Sequence, residues 1–240
     1  MSALGGDDHA AALRRFGEGQ RPRAIVILSA HWQLPNPGRV TAWERAPLVY
    51  DFGGFPPELY EIQYPAAGDP SLAARVSEMT GAALETHRGL DHGAWVPLRL
   101  AWPDAGIPVV ELALTSVAPQ DLFALGRALR PLREEGVLIA GSGGIVHNLS
   151  RVQLWSKDAP IDSWAAEFDR WVADRIGARE TELLFAYRTQ APHAALAVPT
   201  PEHFDPIFPA LGAAFDDESV HSIFEGFQYG NLSMRTFSMS

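Results

Sequence analysis

Two short and almost wholly apolar stretches, Ala24-Ile-Val-Ile-Leu-Ser-Ala30 and Val137-Leu-Ile-Ala140, constrain this chain more than any other feature. A strand with one wet face alternates apolar and polar residues. A strand buried on both faces reads as a continuous apolar run. Such strands pair in parallel through long crossovers and need helices on both sides. Helical patterns lie between them. Asp7 and Asp8 cap a short helix running to Phe16, and Pro70 to Thr80 reads as a helix with proline near its start. A further helix begins near Trp95, another spans Pro119 to Arg130, and Asp162 caps one that runs through Ile176. In that last helix Trp164, Phe168 and Trp171 share one face as packing residues. Thr200-Pro201 reads as an N-cap and first-turn proline. Val109 to Leu114 reads as a strand and Ile223 to Phe237 as closing strands. Gly38 to Tyr50 mixes short strands with turns, and Asp51-Phe-Gly-Gly-Phe-Pro-Pro57 is a loop by composition. The expectation is a single α/β domain over residues 1–240, with a mostly parallel central sheet flanked by helices. A length of 240 residues suits one such domain, or at most two small ones.

Composition removes several function classes. The chain has no cysteine. Disulfides, zinc knuckles, iron–sulfur clusters and thiol nucleophiles are therefore excluded, and any metal must sit on His, Asp or Glu. With 19 basic and 29 acidic residues the net charge is −10, which argues against a nucleic-acid partner. No apolar run approaches the roughly 18 residues of a membrane span. The N-terminal stretch MSALGGDDHAAALRRF lacks the basic and apolar regions of a secretory leader, so the reading is cytoplasmic, with no membrane partner. Gly141-Ser-Gly-Gly144 matches neither a nucleophile elbow nor a phosphate loop, and no His-Glu-x-x-His helix is present.

Position separates the eight histidines. His31 directly follows the first apolar strand. His147 follows the second after a glycine turn, in Gly-Ser-Gly-Gly-Ile-Val-His-Asn. Both stand at carboxyl ends of strands, where open α/β sheets collect their ligands. His92 sits in a loop entering a helix, and His203 in the turn after Thr200-Pro201. A lone histidine at a strand end is commonly a hydrogen-bonded structural residue. Four at such junctions in a cysteine-free chain make a candidate metal site. His9, His87, His193 and His221 lack such settings and read as ordinary surface or core residues.

Six motifs then carry a resemblance over nearly the whole chain, in order. They are Ser29-Ala-His-Trp32, the stretch Tyr50 to Pro65, Leu90-Asp-His-Gly-Ala-Trp-Val-Pro-Leu98, Gly141-Ser-Gly-Gly-Ile-Val-His-Asn-Leu149, Pro201-Glu-His-Phe204 and Tyr229-Gly-Asn-Leu-Ser-Met-Arg235. Together they resemble the class III extradiol ring-cleavage dioxygenases. The branch is the DOPA-4,5-dioxygenase type, related to the catalytic B subunit of protocatechuate 4,5-dioxygenase. The resemblance implies a mononuclear non-haem Fe(II) site that zinc can also occupy, with a catechol such as DOPA and O₂ as small-molecule partners. It implies His31 and His203 as metal ligands and His147 as a further histidine at the metal, either a ligand or the acid/base beside it. His92 matches a pocket histidine that contacts substrate. Neutral imidazoles suit Fe(II) and Zn(II) alike. The family opens with a strand ending in a ligating His-Gly-Ser-Pro. Met1-Ser-Ala-Leu4 looks like the residues just after that motif, so the first strand and its ligand are expected upstream of Met1.

The chemistry implied needs a metal face with open positions for both catechol oxygens and for O₂. It also needs a base that takes a catechol proton and later returns it, which a histidine titrating near neutrality can do. Trp32, Phe52, Trp95 and Tyr229 are candidate walls for a flat ring, with core packing as the simpler role of each. The same histidines would also serve a zinc enzyme that activates water. A chain without the first ligand would be a member that keeps the fold and lacks the reaction.

Overall fold

The computed structural model describes residues 5–45 and 47–240, so the expectation concerning Met1 to Leu4 lies outside the described residues. The chain adopts the expected α/β class and folds as two compact units. The first contains residues up to Ser142 and takes back Asp205–Ala214; the second contains Gly143–Phe204 and Phe215–Ser240.

The first unit is built on a three-stranded parallel sheet. Ala24–Ser29 is its central strand, buried at every position. Val109–Glu111 pairs on one side, with Ile25 opposite Val109. Val137–Ser142 pairs on the other, in register from Ala24 opposite Val137 to Ser29 opposite Ser142. The apolar runs are thus the sheet's spine, as their composition requires. The last strand runs two residues beyond Ala140. Gly141 permits this, because a Cβ there would stand 2.1 Å from the Pro206 carbonyl oxygen. The run Val109 to Leu114 is broken into Val109–Glu111 and Leu114–Thr115, the latter pairing with Gln33–Leu34.

The helix His92–Ala101 packs on the sheet and against the helix Asp8–Gly19. Asp7 caps the latter by accepting the Ala10 N–H at 2.8 Å, and the helix runs past the expected end at Phe16. The helix Pro119–Leu129 lies against Ile207–Ala213, which also touches the strand Val137–Ser142. Ile25, Ile27, Trp95, Leu98 and Trp102 belong to the buried core beneath.

One expected helix start is corrected. The helix placed near Trp95 begins at His92, because Asp91 caps it by accepting the Ala94 N–H at 3.1 Å. The turn expected at Thr200-Pro201 forms, closed by Phe204 N–H to the Pro201 carbonyl, but the Thr200 hydroxyl donates to the Glu202 carboxylate instead of capping it.

The second unit is organised by the helix Ser163–Gly177. Its buried face is Ala165, Phe168, Asp169, Val172 and Ile176. Trp164 and Trp171 only flank that face, so the expected packing stripe is centred elsewhere on the helix. Phe168, Tyr187 and Phe204 form an aromatic core with ring centroids 4.5–6.5 Å apart. The closing strands are antiparallel pairs, Val220–Phe224 with Thr236–Met239 and Phe227–Gln228 with Leu232–Ser233. Arg235 clamps the buried Asp169 carboxylate with two hydrogen bonds, at 3.0 and 2.7 Å. No described helix is long and apolar enough to cross a membrane.

Candidate functional site

In the first unit the chain leaves the central strand at Ser29 and turns at once. The Trp32 N–H bonds to the Ser29 carbonyl, and the His31 N–H donates to the Ser29 hydroxyl at 3.2 Å. This turn holds His31 at the carboxyl end of the strand. A second segment arrives beside it because Val49 N–H bonds to the Leu90 carbonyl and Leu90 N–H to the Pro47 carbonyl. That pairing sets Asp51 next to His92, the first residue of its helix.

The three side chains meet at Asp51. One carboxylate oxygen lies 2.9 Å from His31 Nδ1 and the other 2.9 Å from His92 Nδ1. The His92 backbone N–H donates to the same carboxylate at 2.9 Å. The two imidazoles stand edge to face, with centroids 4.1 Å apart. Burial pushes the Asp51 carboxyl up, but the hydrogen bonds from His31 and His92 outweigh it and hold the group well below the usual carboxylate range. Burial pushes His31 down, and Asp51 outweighs that and raises it. His31, Asp51 and His92 form a group with the donor atoms and spacing to hold a metal ion. With Nδ1 of each ring turned to the Asp51 carboxylate, Nε2 is the nitrogen of each ring turned away from it.

An aromatic cluster borders this group. Phe52 lies 5.3 Å from the His92 ring and contacts Phe55, Tyr60 and Trp95 in turn. Of the expected wall residues, Phe52 therefore stands against a site histidine. Trp95 is fully buried, with its indole N–H on the Val49 carbonyl. Trp32 is buried as well, with the Arg88 guanidinium 4.9 Å from its ring centroid. Tyr229 belongs to the second unit, at a positive φ of 53°.

The second unit brings His147 and His203 together. Gly144 N–H bonds to the His203 carbonyl at 2.7 Å, and His147 N–H to the Ala197 carbonyl at 3.1 Å. The two rings stack face to face, 3.5 Å apart and 9° from parallel. The remaining histidines lie elsewhere. His9 is in the first helix, His87 is exposed beside Glu85, His193 pairs with Glu167 at 3.0 Å, and His221 is on an exposed edge.

Sequence reasoning did not single out Asp51, Asp91, Arg88, Ser29 or Glu111. Asp51 opens a Gly/Pro-rich loop, and the signal available was its one carboxylate. Glu111 was detectable as the charged residue inside the apolar run Val109 to Leu114.

The family model of the catalytic LigB subunit of aromatic ring-opening dioxygenase matches residues 6–236. A 4,5-DOPA dioxygenase extradiol of Escherichia coli (strain K12) is 40% identical over 222 residues, 89% of this chain and 81% of that protein. A protein of the same name from Beta vulgaris is 37% identical over 228 residues, 92% of this chain and 84% of that one. The crystal structure of an uncharacterized protein from Escherichia coli K12, JW3007, superposes with a TM-score of 0.81 at 34% identity, covering 95% of this chain and 91% of the other.

Proposed function

This chain belongs to the family of the catalytic LigB subunit of aromatic ring-opening dioxygenases, class III extradiol enzymes, and from that premise we propose that it opens the ring of a catechol such as DOPA with O₂, using Fe(II). The observation that carries the reading is a family match over 6–236 that includes both histidine groups, His31 with His92 and His147 with His203.

The donor chemistry fits a metal. It offers imidazoles oriented by a carboxylate and no thiolate, a set that suits Fe(II) and also Zn(II). In this reading His31 and His203 are the ligands, assigned by the motifs in which they stand, and His147 is the acid/base beside the metal. When bound, the metal supplies a Lewis-acidic centre for the two catechol oxygens and for O₂. The chain's own residues do the rest. Asp51 keeps the Nδ1 proton of His31 and of His92 on its own side and so fixes which nitrogen faces outward. His147 takes the proton of a catechol hydroxyl and returns it during ring opening. His92, backed by Phe52, holds the substrate ring by its polar edge. Residues 1–240 act as one catalytic domain, in the cytoplasm.

Anaerobic loading with Fe(II), followed by a panel of catechols including DOPA and then air, tests the reading. A yellow ring-opened product that forms only after air is admitted is the expected result. Turnover of any panel member that is unchanged without O₂, or absence of product across the panel, would overturn it.

A further inference from the structure

Beneath His31 and His92 lies a pair of fully buried carboxyl groups, Asp91 and Glu111, both 0% exposed. Two buried carboxylates in contact are untenable, and the hydrogen bonds decide which one is charged. Asp91 Oδ1 accepts from the Ser29 hydroxyl at 2.7 Å and from the Ala94 N–H at 3.1 Å. Asp91 Oδ2 accepts from Arg88 at 2.9 Å. An ionised carboxylate has about four acceptor sites, and these donors fill all but one. Among the described residues no side-chain donor reaches Glu111, and the Asp91 N–H is the backbone donor on its carboxyl. The arrangement that satisfies both groups makes Glu111 the donor, toward Asp91.

Asp91 is also the junction of the two histidine-bearing turns. Its Ser29 donor accepts the His31 N–H, and its Arg88 donor also bonds to the His31 carbonyl at 3.2 Å. Its own side chain caps the helix that His92 opens. Displacing Asp91 displaces both histidines.

We propose that Glu111 is a positioning residue: its carboxyl is the last donor to Asp91 and thereby fixes the turns that present His31 and His92. Burial first, and then the negative charge of Asp91, hold the Glu111 carboxyl well above the usual range, with Arg88 opposing more weakly. The Glu111 backbone is held as well, since its N–H donates to the Thr41 hydroxyl at 2.8 Å and its carbonyl accepts from that hydroxyl at 3.2 Å. The inference rests on the proposed function for its effect on turnover, but not for its effect on the two rings.

Glu111→Gln and Glu111→Leu test it in the full-length chain. Gln keeps a donor toward Asp91 and cannot ionise, whereas Leu removes the donor. The first readout is the imidazole nitrogen NMR spectrum of the metal-free protein. Gln should leave His31 and His92 at their wild-type positions. Leu should shift both and leave His193 and His221 unmoved. The second readout is catechol turnover, which Gln should keep within about threefold and Leu should lower at least about tenfold, the range for partners that orient ligating residues. A Leu variant with wild-type spectra and turnover would overturn the proposal, even with a lowered melting temperature. So would a Gln variant as impaired as Leu, since that requires an ionised Glu111. If Leu does not fold, Glu111→Met carries the same comparison. If no form of the protein cleaves catechols, the proposed function fails, and the spectra still decide the role of Glu111.

Discussion

At the residue scale Gly93 is the constraint set directly against His31. A Cβ at this position would stand 2.4 Å from the Ser29 hydroxyl and 3.1 Å from the His31 ring. Only a bare backbone lets the helix start approach the strand end so closely. Gly93→Ala is expected to push Ser29 and His31 aside. Stability should fall by about 1–3 kcal/mol through overpacking, and turnover by about 10²-fold through misplacement of the ring. Denaturant titration beside steady-state kinetics checks both, and unchanged turnover would show that His31 tolerates the shift. The histidines themselves are separable by metal analysis. His31→Ala and His203→Ala are expected to lose metal, because each removes a ligand. His147→Ala is expected to keep part of it and lose about 10²–10⁴-fold in rate, the worth of a general acid/base. Full metal in His31→Ala would refute its assignment. Wild-type turnover in His147→Ala would leave His92 as the base.

At the element scale the helix His92–Ala101 contains Pro97, which has no N–H to give the carbonyl four residues earlier. That carbonyl belongs to Gly93, and the Ser142 hydroxyl at the end of the neighbouring strand donates to it instead. Ser142→Ala should therefore cost about 1–3 kcal/mol, the penalty of a buried carbonyl left without a partner. Pro97→Ala should return most of that loss in the double variant by restoring the helical N–H. A double-mutant cycle by chemical denaturation measures the coupling, and strictly additive effects would contradict it. The same helix marks where local sequence stops being informative. Its start was hidden because Gly93 and Pro97 are poor helix formers. The central strands were legible because burial on both faces writes an unbroken apolar run. His31, His92, His147 and His203 were legible because each follows a strand end or a turn. Asp51 was not, because nothing local says that a loop residue will reach two histidines 20 and 41 positions away.

At the scale of the whole molecule the chain passes between its two compact units at three points. The first unit is discontinuous, and Asp205–Ala214 returns to it after the second unit has begun. Gly141 meets the Pro206 carbonyl there, and the helix Ile207–Ala213 lies on the strand Val137–Ser142. The family match crosses the division, from residue 6 to residue 236. The net charge of −10 is consistent with a small-molecule substrate and with no phosphate backbone as partner. The proposed reaction is tested most directly by cleaving a catechol under ¹⁸O₂ with the Fe(II)-loaded protein and weighing the ring-opened product. A dioxygenase places both atoms of one O₂ in the product, so the account predicts two ¹⁸O atoms per molecule before exchange with water. Product carrying oxygen from water alone, or formed equally well under nitrogen, would contradict it.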